Sequence, residues 1–261
     1  KMELDFVNRT AELKELDAHA KAGGLLVVFG RRRVGKTRLL TQWLSRRKGL
    51  YSQAIEASKE QQLQQVYDDL RGELSTALVP RTFGELLELL DLELGAFVLC
   101  LDELPYLVAS DPSLPSVLQR WIDHRKNKQS TLILSGSSTR MMNDLFLNRS
   151  APLFGRARKI IEVAPMSYGA FCDACRQDPL SPEAFIRFAL VGGVPKYWEL
   201  VSRGQTSIEL AEDLFFGTSP ALEFEPERLL KDEGVAGATA RAVLEAVGRG
   251  AHKASEIAAR L

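Results

Sequence analysis

Cysteine is scarce in this chain, with three in 261 residues. So few cannot build a disulfide framework, and they suit a reducing compartment. An excess of charge of one sign is lacking too, because 34 Lys and Arg balance 34 Asp and Glu. Bulk charge therefore gives no reason to expect nucleic acid, and any such surface must be a local patch. No apolar run approaches the roughly 18 residues of a membrane span, and the N-terminus lacks a signal-peptide pattern. Repeats and low-complexity tracts are missing as well. These absences leave a soluble protein without a membrane partner, and the expected location is the cytoplasm. What is present is an ordinary globular composition, 45% hydrophobic and 26% charged, able to bury a real core. The length favours two domains over one, at about 150 residues per domain.

The chain is organised around Leu25 to Leu40. Leu25 to Val28 and Phe29 read as a buried strand, and Thr37-Arg38-Leu39-Leu40 opens a helical pattern ending near Arg47. Between them, Gly30-Arg31-Arg32-Arg33-Val34-Gly35-Lys36-Thr37 matches G-x-x-x-x-G-K-[ST], the phosphate-binding loop. The glycines permit a tight turn, and loop N–H groups then converge on phosphate at a helix N-terminus. Lys36 is expected against the β- and γ-phosphates, with the Thr37 hydroxyl on Mg²⁺. Downstream, Ala96 to Leu101 is an apolar strand ending in Asp102-Glu103, the Walker B pattern. Asp102 is expected to hold Mg²⁺ through its hydration shell, and Glu103 to orient and activate the attacking water.

The remaining elements fall in order around these two. An amphipathic helix runs from Thr10 to Lys21, with Leu13 and Leu16 on one face, and Gly23-Gly24 ends it. A second strand lies near Leu50 to Ala57, a helical region at Lys59 to Leu78, and a short helix at Thr82 to Leu92. Pro112 and Pro115 bracket the approach to a helix at Ser116 to Lys126, whose Trp121 reads as core. A fourth strand, Thr131 to Leu134, runs into Ser135-Gly136-Ser137-Ser138. Either Ser137 or Ser138 is placed beside the γ-phosphate, unless the turn simply caps the next helix. A fifth strand covers Arg158 to Val163. Among Arg149, Arg156 and Arg158, Arg156 is the choice for an arginine stabilising charge on the transferring phosphoryl group, from this subunit or a neighbour. Helices follow at Ser167 to Arg176, Pro182 to Leu190 and beyond Pro195. Cys172 and Cys175 lack a second pair and read as structural. Thr218 to Glu233 resembles a linker, followed by helical segments at Ala236 to Val247 and Ala254 to Leu261. The opening Lys1-Met2 suggests that Lys1 is left over from expression. The helical pattern at Leu261 suggests that more protein follows.

With these motifs located, the chain closely resembles the archaeal-type ATPase family, a branch of the STAND class of AAA+-related ATPases. The resemblance is carried by Phe6-Val7-Asn8-Arg9 with Glu12-Leu13, by Gly30 to Thr37, and by Leu101-Asp102-Glu103. It continues through Leu134 to Ser138, Ala151 to Arg156, and Gly192-Gly193-Val194-Pro195-Lys196-Tyr197. It implies an α/β P-loop NTPase of the AAA+/ASCE type, with a five-stranded parallel sheet flanked by helices. The Asp102 strand and the fourth strand should lie beside the loop strand, with a small helical lid and the start of a winged helix behind. In those terms residues 1–164 are the core, 165–217 the lid, 218–233 a linker and 234–261 an incomplete winged helix. The resemblance also implies that Phe6, Val7, Asn8 and Arg9 lie near the adenine, although relatives often have Gly where Asn8 stands. Pro195 should approach the nucleotide from the lid. Gly30, Arg31, Arg32, Arg33, Val34, Gly35, Lys36, Thr37 and Arg38 complete the nucleotide-binding set. Ala251 to Ala258 looks like the start of a helix-turn-helix.

The expected function is a Mg²⁺-dependent ATPase whose ATP or ADP state sets the angle between core and lid. In it Lys36, Glu103, Arg156 and Ser137 form the catalytic set, and Thr37 and Asp102 the metal ligands. A homo-oligomer would supply an arginine in trans, and a DNA or protein partner would use the C-terminal region. The alternative is a nucleotide-regulated DNA- or protein-binding scaffold with little hydrolysis, motivated by Arg31-Arg32-Arg33 and the terminal helices. A small-molecule kinase would not need Glu103. Guanine is disfavoured because Asn127-Lys128-Gln129-Ser130 does not make N-K-x-D and precedes its strand.

Overall fold

Strands that are apolar along their whole length must be covered on both faces, which demands helices on either side of a sheet. The computed structural model, which describes residues 4–76, 78–235 and 237–261, has that layout. Five strands pair in the order β2-β3-β4-β1-β5. They are β1 (Gly24–Phe29), β2 (Leu50–Gln53), β3 (Val98–Asp102), β4 (Thr131–Gly136) and β5 (Ala157–Glu162), all parallel. The expected parallel α/β sheet is thus present. One neighbour relation differs from expectation: β4 is inserted between β1 and β3, so the Asp102 strand is one strand removed from the loop strand.

The period-two alternation of side chains splits each strand between two cores. Leu25, Val27, Leu99, Leu101, Leu132 and Leu134 point into one. It is covered by α3 (Lys59–Leu70), α4 (Phe83–Glu93), α5 (Leu104–Ser110), α6 (Leu114–His124) and α7 (Thr139–Phe146). Leu26, Val28, Cys100 and Ile133 point the other way, onto α1 (Thr10–Ala20) and α2 (Lys36–Leu44). Leu16 of α1 and Leu39, Leu40 and Trp43 of α2 are fully buried there. The indole N–H of Trp43 donates to Asp17 Oδ1 at 2.7 Å and ties the two helices together. Trp121 is core, as its apolar stripe suggested, with its N–H donating to Asp91 at 2.8 Å.

Two helices differ from the sequence pattern for identifiable reasons. The α3 helix stops at Leu70 and tightens into a 3-10 turn at Arg71–Glu73, short of the expected Leu78. The α5 helix was not anticipated; Pro105 sits in its first turn, where no intrahelical N–H is lost.

Beyond β5, α8 (Tyr168–Cys175), α9 (Pro182–Val191) and α10 (Pro195–Trp198) pack Phe171 against Phe188 and Trp198. Cys172 and Cys175 are buried, free thiols in this cluster, and burial pushes Cys175 up to about 12. Among the described residues no group of three or more His, Cys, Asp or Glu is placed to hold a metal ion. These helices belong to the same compact unit as the sheet, which extends to Ser207.

Ile208–Leu261 forms a second unit. The short α11 (Ser207–Ala211) leads into a π turn at Glu212–Phe216, and α12 (Glu225–Asp232), α13 (Ala238–Gly248) and α14 (Ala254–Ala258) follow. The stretch expected as a linker therefore contains a helix. Pro226, which suggested irregular chain, occupies the first turn of α12. The expectations for Lys1 and for a helix beginning at Ala236 fall outside the described residues.

Candidate functional site

In a parallel sheet the strands deliver their C-terminal ends to one edge. Here the ends of β1, β3 and β4 bring Gly30, Asp102 and Ser137 to that edge. The loop after β1 needs unusual backbone: Arg33 and Gly35 have φ of 66° and 96°. Gly30, with φ 156°, lies so close to the next strand that a Cβ would sit 2.4 Å from Val163 O. Only glycine fits there.

The charged groups of the loop meet those of the other strands directly. Thr37, in the first turn of α2, donates its hydroxyl proton to Asp102 Oδ2 at 2.6 Å. Asp102 is fully buried, and its Oδ1 accepts from the Glu103 N–H at 3.0 Å. Lys36 is buried too, and its ammonium donates to Gly30 O at 2.9 Å, Arg31 O at 3.1 Å and Ser137 Oγ at 2.9 Å. Ser137 passes its own proton to Glu103 Oε1 and donates its N–H to Glu103 Oε2 at 3.2 Å. Glu103 reaches this position from a left-handed backbone, φ 58°. Between the two serines left open by the sequence, Ser137 enters the site. Ser138 instead caps α7, accepting from Met141 N.

A narrow cleft, with room of about 30 Å³, opens beside the loop. Phe6, Val7, Arg9, Gly35, Arg38 and Pro195 line it, six residues that the sequence assigned to nucleotide binding. Leu4, Asp5, Met166 and Trp198 complete the wall. Asn8 does not line it; its side chain accepts from Arg9 N at 3.0 Å, in a left-handed conformation that Asn tolerates better than most residues. Arg9 is buried, donating to Val34 O at 2.8 Å and pairing with Glu12 at 2.7 Å, so it clamps the N-terminal segment to the loop. Arg38 donates to Leu4 O and adds a second clamp. Val34 is a core residue, Arg31 projects outward, and the Arg33 guanidinium lies 5.8 Å from the Tyr197 ring centroid. Arg32 is half-buried.

Arg156 is not brought to this site within its own chain. It precedes β5, whose first residue pairs with Leu25 at the start of β1, whereas the loop follows the far end of β1. The separation along the strand is roughly 16 Å. There the guanidinium pairs with Asp123 at 2.9 Å and donates to Pro152 O at 2.9 Å. In this arrangement it does not reach its own loop.

Five contributors escaped the sequence reading, Leu4 and Asp5 of the cleft wall among them. Tyr51 of β2 donates its phenol proton to Asp102 Oδ2 at 3.0 Å. Burial, reinforced by the Asp102 carboxylate, pushes the phenol well above its ordinary pKa, so it keeps its proton. Nothing local marks Tyr51, because the contact depends on strand register. Trp198 carried a signal: it lies three residues after Pro195 on one helical turn, hence on the same face. Met166 had none.

The family profile of an ATPase domain found predominantly in Archaea matches residues 6–201, and the chain belongs to that family. An uncharacterized protein of Methanocaldococcus jannaschii, MJECL04, is 27% identical over 255 residues, covering 97% of this chain and 56% of the relative. The chain thus spans just over half the length of that relative. Among solved structures, the Walker-type ATPase PABY2304 of Pyrococcus abyssi is similar with a TM-score of 0.67 at 20% identity, over 97% of this chain and 83% of that one. The ORC2 protein of Aeropyrum pernix, solved with ADPNP and ADP, gives 0.62 at 14% identity, over 100% and 81%. At such identities the likeness is one of fold, that of P-loop AAA+ ATPases.

Proposed function

We propose that this member of the archaeal ATPase domain family, an AAA+-type nucleotide-binding protein, hydrolyses ATP with Mg²⁺ and uses the cycle as a conformational switch of the STAND kind. The observation that carries the reading is the direct contact between Thr37 and Asp102, 2.6 Å apart, beside a buried Lys36. Two oxygen donors, one anionic, converging at a phosphate loop fit a hard divalent cation. Mg²⁺ held by Thr37 and by Asp102 through water would neutralise charge on the β- and γ-phosphate oxygens. Lys36 exchanges the Gly30 and Arg31 carbonyls for phosphate oxygens. Glu103 accepts the proton of the attacking water, and Ser137 holds that carboxylate in place. The adenine lies against Phe6, Val7 and Pro195 once the cleft between them widens. Movement of α8 to α10 as a lid, residues 165–217, registers whether the γ-phosphate is present.

Arg156 serves a neighbouring copy, which makes the active form a homo-oligomer. The C-terminal helices, read as the start of a winged helix, present a DNA or protein partner to this switch. Glu103→Gln tests the chemistry: nucleotide affinity should persist while turnover falls by about 10²-fold or more. Equal hydrolysis by the variant would remove Glu103 from its role. Absence of turnover in the unmodified chain at every concentration would leave the scaffold reading in its place.

A further inference from the structure

Asp102 is the residue on which the proposed metal site turns, yet its surroundings hold one group with no part in the mechanism so far. Tyr51 stands on β2, opposite Cys100 of β3 in the parallel register. Paired residues share a face, as do residues two apart on one strand, so Tyr51, Cys100 and Asp102 all face α2. A two-residue step along a strand is about 6.6 Å, and the phenol ring bridges it to bring its hydroxyl to Asp102 Oδ2 at 3.0 Å. The same oxygen accepts from Thr37, and Oδ1 accepts from the Glu103 N–H. Asp102 therefore has three donors, of which two share one oxygen.

These donors are not equivalent. Thr37 has a single proton on an oxygen that is itself a candidate ligand. That oxygen can turn a lone pair to a cation and still donate its proton to Asp102, so Thr37 is tied to the cation as well as to the carboxylate. The Glu103 N–H holds only the other carboxylate oxygen. Tyr51 is the side-chain donor that holds this fully buried carboxylate without being a candidate ligand itself. We infer that Tyr51 is a positioning residue that orients Asp102 for the divalent cation and so sets metal affinity, independently of nucleotide binding. This rests on the Mg²⁺–ATP reading above. Groups behind metal ligands act in this way generally, and their loss weakens metal binding by about 10–100-fold.

The test uses the whole chain, Tyr51→Phe, and Tyr51→Leu, which removes the ring as well. Free Mn²⁺ is followed by electron paramagnetic resonance during titration in the presence of a non-hydrolysable ATP analogue. Affinity for a fluorescent ATP analogue in EDTA and the unfolding midpoint are recorded alongside. Tyr51→Phe should weaken Mn²⁺ binding about tenfold, with nucleotide affinity in EDTA unchanged, and Tyr51→Leu should weaken Mn²⁺ binding equally. If Phe binds Mn²⁺ like Tyr, and only Leu is impaired, the ring merely packs and the inference is overturned. If the unmodified chain itself takes up no Mn²⁺ with the analogue, the metal reading of the site fails first and carries this one with it.

Discussion

Ser137 accepts a hydrogen bond from Lys36 and donates one to Glu103, so a single hydroxyl joins the two charges on which turnover is proposed to depend. A hydroxyl has one proton and two lone pairs, enough for both bonds at once. Alanine would leave a buried ammonium and a half-buried carboxylate each short of a partner. Hydrogen bonds to charged groups contribute about 1.5–3 kcal/mol, or roughly 10–100-fold in rate if expressed at the transition state. Ser137→Ala should therefore lower ATP turnover about tenfold or more in steady-state assays, with nucleotide affinity little changed. A variant turning over like the parent would show that the bridge matters only to the resting arrangement. Ser138→Ala is the contrasting case: it removes a helix cap from α7, costs about 1 kcal/mol of stability, and should leave turnover intact.

At the scale of elements, the loop between β1 and α2 is held by contact on one side and by backbone conformation on the other. Gly30→Ala places a methyl 2.4 Å from Val163 O at φ 156°, so strand β5 must retreat. Gly35→Ala meets nothing within 4 Å and suffers only from φ 96°. Urea unfolding should accordingly show a loss of about 2 kcal/mol or more for Gly30→Ala and about 1–2 kcal/mol for Gly35→Ala. The reverse order would mean that packing against β5 is looser than the geometry implies. This same segment was legible in the sequence because strand, glycines and helix are contiguous, and their chemistry is local. The insertion of β4 between β1 and β3 was not legible, since neighbour choice is a long-range property. Pro226 misled because proline punctuates a helix interior but starts a helix well. Tyr51 was invisible because its function depends on register with a strand far along the chain.

For the molecule as a whole, the position of Arg156 decides whether one chain is sufficient. Its pairing with Asp123 fixes it at the edge of the sheet opposite the phosphate loop. Turnover per chain should rise with protein concentration, and Arg156→Ala should abolish that rise, with losses on the order of 10³-fold. Nucleotide affinity of dilute chains should be unaffected. The ion pair is solvent-exposed, so removing it costs at most about 1 kcal/mol and does not confound the assay. Turnover per chain that is flat with concentration, and indifferent to Arg156, would end the case for self-assembly. The cleft beside the loop has a different consequence. One of its walls comes from Leu4 to Val7 and Arg9 and another from Met166, Pro195 and Trp198, near the two extremes of the compact unit. A truncation that stopped after the sheet would keep every residue proposed to meet phosphate and still lose three of the ten residues lining the cleft proposed for the base. Deletion mapping should then find that triphosphate alone is retained by the shorter piece, whereas discrimination between purine and pyrimidine nucleotides needs the chain to run past Trp198.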